Sequence, residues 1–237
     1  MITARIAAVL LAVVTLTGAL LTGGTGTAAA FFGPCVPGNQ LQPTAELFAT
    51  TNRDVITDPA DPRMADPLTG FDVEVRATAI MEWGLAVHSE PVDGVFWSED
   101  SRQITYEPAR RFELACTSNE NLCWIADDLR IRHQQEAVLG IAFLPPEHEK
   151  ADGFLVRVPG VDVARLHDAL LADPAARDRL GGGSVTEDGT LILVADRADL
   201  GAVQSFVEGL GAHWDSGAVR YGDKELVTGT CIQGVLF

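Results

Sequence analysis

Lysine is nearly missing from this 237-residue chain: only Lys150 and Lys224 of its 17 basic residues are lysine, against 33 acids and a formal charge of −16. A surface so short of cations repels phosphate backbones and anionic lipid headgroups, so nucleic-acid and membrane-surface binding are excluded as leading readings. The arginine bias suits a GC-rich bacterial genome.

Beyond the N-terminus the sequence also lacks any apolar run long enough to span a bilayer. At the N-terminus, Arg5 precedes the apolar "IAAVLLAVVTLTGALL", and small residues follow as far as Ala28-Ala29-Ala30, before "FFGPC". That order is a secretory signal over residues 1–30, with cleavage expected near Ala30 and an extracellular product. An uncleaved anchor competes, but the run is interrupted by Thr15, Thr17 and Gly18 and falls short of the roughly 20 residues a bilayer needs. About 200 residues remain, enough for one large domain or two small ones.

Recognisable catalytic signatures are absent too. Ser184 does not sit in G-x-S-x-G, glycines 181–183 are not followed by Gly-Lys-Ser/Thr, and no H-E-x-x-H occurs. His88 and His148 fall in loop contexts, His167 flanks an inward helix position, and His213-Trp214-Asp215 reads as a turn. Two weak sites remain. His133 and Glu136, in "IRHQQEAVLG", would share a helix face at i, i+3 and could share a metal or a proton. The preferred reading is a helix end, where a histidine satisfies terminal carbonyls and suits the dipole. Asp54, Asp58, Asp61 and Asp66 offer the hard oxygen ligands that calcium takes. They lack EF-hand spacing, and Pro59, Pro62 and Pro67 among them argue for a chain of rigid turns. No cofactor is expected; calcium is the metal these acids would suit.

The chain holds four cysteines, Cys35, Cys116, Cys123 and Cys231. In an exported chain an even count favours disulfides over a zinc site or a catalytic thiol. The polar loop "CTSNENLC" suggests Cys116–Cys123, leaving Cys35–Cys231 to tie the two ends together.

Residues 31–70 read as an extended arm rich in Pro and Asp. Phe71, Val73, Val75, Ala77, Ala79 and Met81 alternate with mostly polar neighbours and predict a strand. Asp93-Gly94 predicts a turn. Leu122, Ile125 and Leu129 predict a helix before the buried strand "AVLGIAFL". From 151 to 237 the order β-α-β-β-α-β emerges, with Asp162 and Asp199 as helix caps and Asp188-Gly189 as a hairpin tip. The expected fold is α+β, antiparallel sheets covered by helices. Its C-terminal half is ferredoxin-like, and the half at 71–146 is a shortened version of the same layout.

These features predict a non-catalytic binding or inhibitor-like module whose sheet edges dock a protein or peptide by strand addition. A secreted hydrolase or metal-dependent enzyme is the alternative, and a structural cell-envelope protein a third.

Overall fold

The computed structural model describes residues 42–51, 56–98, 103–135, 137–229 and 231, all of them in one compact unit. The signal segment with Ala30, and Cys35, Asp54 and Glu136, lie outside the described residues.

Eight strands form the centre: β1 (Pro43–Ala49), β2 (Leu85–Ser98), β3 (Gln103–Ala115), β4 (Val138–Phe143), β5 (Gly153–Pro159), β6 (Leu180–Thr186), β7 (Thr190–Asp196) and β8 (Val219–Val227). Among the described residues five α-helices accompany them: α1 (Thr69–Met81), α2 (Asn119–His133), α3 (Val163–Ala172), the single turn α4 (Pro174–Arg177) and α5 (Leu200–Gly209). The strands close into one antiparallel barrel in the order β1-β3-β2-β6-β7-β5-β8-β4, with β4 returning to β1. Closure overturns the expected pair of open, helix-covered sheets, including the ferredoxin-like C-terminal half. The β2–β6 and β4–β8 ladders join the two halves of the chain into a single sheet.

Alternation along each strand then has a different meaning. Ala45, Leu47 and Ala49 of β1 pack outward with Phe112 and Leu114 of β3 under α1 and α2. Phe154, Val156 and Val158 of β5 and Leu191, Leu193 and Ala195 of β7 pack outward under α3 and α5. The intervening residues face the lumen. There Ile141, Leu155, Ile192 and Val194 form a small apolar plug with Phe48, Leu139 and Phe143.

Several local elements form as the sequence predicts. The β6–β7 hairpin turns at Asp188-Gly189, where Gly189 takes φ +79°. Asp162 caps α3 by accepting from the Arg165 N–H at 2.8 Å. Leu122, Ile125 and Leu129 bury one face of α2.

Others differ. Residues 69–81 are helical because Phe71, Val75, Thr78 and Ala79 make a helix-spaced stripe that is buried, while Val73 is 64% and Ile80 55% exposed. Asp93 and Gly94 continue β2, since they pair with Pro108 and Glu107 on one side and with Val185 and Ser184 on the other. Hydrogen-bonded neighbours on both sides outweigh the local turn preference. Asp199 stands at the N-cap of α5, but its side chain makes no capping bond and instead meets Arg179. Strand β1 and the 3₁₀ turn Pro62–Ala65 lie within the stretch read as an arm.

The cysteine pairing also changes. Cys123 bonds Cys231 with Cα atoms 6.0 Å apart, so neither Cys116–Cys123 nor Cys35–Cys231 forms. The supposed loop between Cys116 and Cys123 does not exist, because α2 starts at Asn119 and carries Cys123 into its second turn. Cys116 is itself disulfide-bonded.

The helical assignment of 69–81 makes a direct prediction. A strand would bury Val73 and Val75 together, whereas the helix buries Val75 alone. Val75→Asp should therefore destabilise by several kcal/mol, on the order of 3 or more, and Val73→Asp by no more than about 0.5 kcal/mol, as read from urea unfolding.

Candidate functional site: the barrel lumen

At one end of the lumen the inward positions carry charge. Glu46 of β1 is fully buried and accepts from Arg111 Nε of β3 at 2.7 Å and from Arg157 Nη2 of β5 at 2.5 Å, with Arg220 of β8 at 3.7 Å. Arg111, 2% exposed, also pairs with Glu90 of β2 and Glu113 of its own strand, and Arg157 reaches Glu113 at 2.7 Å. Three guanidinium groups thus face three carboxylates.

Burial pushes the Glu46 carboxyl up from its ordinary range, against the pull of Arg111 and Arg220. Burial alone would lower Arg111, but Glu46, Glu113 and Glu90 outweigh it and raise it. The result is a paired network in which each charge is met by an opposite one. A cavity of about 330 Å³ beside it is lined by His88, Glu90, Arg111, Glu113, Arg157 and Thr190. His88 Nε2 lies 3.8 Å from Glu90.

The opposite end is apolar. Beyond the plug, a cavity of about 180 Å³ opens between Phe48, Leu139, Ile192, Val194, Leu226 and the backbone of glycines 181–183. Gly182 keeps this space open, because a Cβ there would come within 2.7 Å of Leu139 Cδ2. The polar groups at the lining are few: Thr50, Glu107, Gln135 and Ser184. The Thr50 hydroxyl donates to the Pro108 carbonyl at 2.7 Å and Ser184 to the Asp93 carbonyl at 2.6 Å, so neither hydroxyl is poised as a nucleophile.

The residues singled out from the sequence lie elsewhere. His133 closes α2, with Gln134 as a left-handed C-cap at φ 53°. Its ring meets Phe71 edge-on at 4.8 Å, and its Nε2 lies 3.3 Å from Glu74 of α1. It stands in the helical layer outside the barrel. Asp58 accepts from the Ala60 N–H, Asp66 from the Leu68 N–H, and Asp61 from both the backbone and the guanidinium of Arg63. Those bonds hold the Asp61 carboxyl down at about 2. Each of these carboxylates serves its own turn, and they do not converge on a shared point. Among the described residues one group of three potential metal ligands is close-set, Cys123, Glu225 and Cys231, and its two sulfurs are joined to each other.

The lumen charges were missed although the sequence signals them. Glu46 in "TAELFA", Arg111 and Glu113 in "ARRFELA" and Arg157 in "GFLVRV" each stand at alternate positions of an apolar strand, which reads as a solvent face until the sheet closes.

Removing Arg111 should show what the pairing contributes. Arg111→Met leaves three buried or half-buried carboxylates facing two guanidinium groups, and should cost about 3–5 kcal/mol near neutral pH. The Glu46 pKa then rises further, so the folded state binds its proton more tightly than the unfolded chain, and stability recovers as pH falls through that raised value. The loss should shrink on acidification, and adding Glu46→Gln should restore part of it at neutral pH; denaturant midpoints at several pH values check both. Non-reducing peptide mapping should recover Cys123 linked to Cys231. The chain matches no known protein family, no curated protein and no solved structure, so a functional reading rests on this geometry.

Proposed function

We propose that this is an exported, non-catalytic binding protein that holds a small, largely apolar molecule in the apolar end of its barrel. The cavity between Phe48, Leu139, Ile192, Val194 and Leu226 carries this reading, because an apolar concavity with a few polar groups is the usual form of a small-molecule site. Its volume is that of a site for a single ring or a short chain; a cavity of about 150 Å³ lined by aliphatic side chains takes up benzene. Among the described residues no nucleophile and base stand together at its lining, which supports binding over the hydrolase alternative. Docking a peptide by strand addition has less support, since barrel closure gives every strand a neighbour on each side and leaves short stretches such as residues 95–98 paired on one side.

A protein partner remains the second reading, through a different surface. Val73 and Ile80, two turns apart on α1, share an outward face, and Met81 and Trp83 follow, with Trp83 60% exposed.

Native mass spectrometry of the protein from its host's culture medium separates the two. The first reading expects a small-molecule adduct that is lost in Ala137→Phe, a substitution that fills the cavity lining. An adduct that survives Ala137→Phe would place the ligand elsewhere, and a protein complex without an adduct would favour the α1 face.

A further inference from the structure

The cavity lining contains a buried polar group whose hydrogen-bonding capacity the described residues leave unused. Gln135 is 7% exposed, lines the apolar cavity, and its Nε2 has no hydrogen-bond partner among the described residues. Its backbone is fixed, because the Gln135 N–H donates to the Arg130 carbonyl at 2.9 Å as the chain leaves α2. A side-chain amide offers two N–H donors, and buried donors in native proteins are nearly always met. The neighbouring donors are already committed: Thr50 to Pro108 and Ser184 to Asp93.

Resting on the reading of the cavity as a ligand site, the geometry points to Gln135 as the residue that selects the ligand's polar group. The ligand class is an uncharged molecule with an apolar body and one hydrogen-bond acceptor, such as a ketone, ester or amide oxygen, seated to accept from Gln135 Nε2. Anions of the same size are rejected. The whole chain carries a formal charge of −16, and among the described residues no Lys or Arg lines the cavity to balance a ligand carboxylate.

Three probes of matched shape test this by isothermal titration calorimetry: acetophenone, ethylbenzene and benzoate. The wild-type protein should bind acetophenone and ethylbenzene and leave benzoate unbound. Gln135→Met keeps the length of the side chain but removes the donor. It should lower the acetophenone-to-ethylbenzene affinity ratio by roughly threefold to tenfold while leaving ethylbenzene affinity nearly unchanged.

A second measurement on the wild-type protein does not depend on that variant folding. The Gln135 side-chain NH₂ resonances should move when acetophenone is added and stay in place with ethylbenzene. A ratio unchanged in Gln135→Met, or side-chain resonances indifferent to acetophenone while both probes bind, would overturn the role of Gln135 and leave the cavity reading intact. Failure of acetophenone and ethylbenzene alike to bind the wild-type protein would overturn the cavity reading, and this inference with it.

Discussion

The Glu46 carboxylate, buried where guanidinium groups from β3, β5 and β8 converge, is the interaction around which the rest of the barrel is arranged. Closing eight strands encloses one face of every strand, and that face here carries both charge and hydrocarbon. A lone buried carboxylate would cost several kcal/mol, so the charges have to come together from strands far apart in sequence. Their meeting divides the lumen. One end is occupied by the network, the middle by Ile141, Leu155, Ile192 and Val194, and open apolar space is left at the other end. The charged network lines the polar cavity at its own end and takes no part in the apolar one.

Much of the local structure was legible from spacing alone. Leu122, Ile125 and Leu129 marked their helix, and Asp188-Gly189 marked its hairpin, because each signal lies within a few residues. What failed were features decided by distant neighbours. Residues 71–81 carry both a two-residue and a helical apolar repeat, and packing against β2 and α2 selects the helical one. Asp93-Gly94 reads as a turn until two flanking strands claim its backbone. Closure is the least legible feature, because an inward face and a solvent face look alike in a strand that alternates.

The site shows the same division. The stretch "IRHQQEAVLG" stood out for its histidine, and the structure brings that stretch to the cavity through a different residue. His133 ends the helix and packs against Phe71 in the outer layer, while Gln135, two residues on, lines the lumen. No motif describes a glutamine after a helix C-cap. The signal that identifies it is a buried donor unmet among the described residues, which depends on neighbours that only the fold brings together. The aspartates of the 54–66 stretch had the chemistry of a cation site, but those described spend their oxygens on their own turns.

Barrel closure also governs how the chain must fold. Strand β4 pairs Ala142 with Ala45 on one side and Val138 with Val227 on the other, so its two neighbours come from segments roughly ninety residues before and after it. Pairings of this reach are slow to find, and all-antiparallel sheets rich in them fold in milliseconds to seconds. While β8 is absent, the barrel has two open edges and exposes the apolar plug. The Cys123–Cys231 bond spans 108 residues and ties the segment just past β8 to α2, the helix that packs against β4 and β8. Its formation confines the search for that last pairing to a small volume. The oxidation state of one cysteine pair therefore bears on how long the chain spends as an open, aggregation-prone sheet.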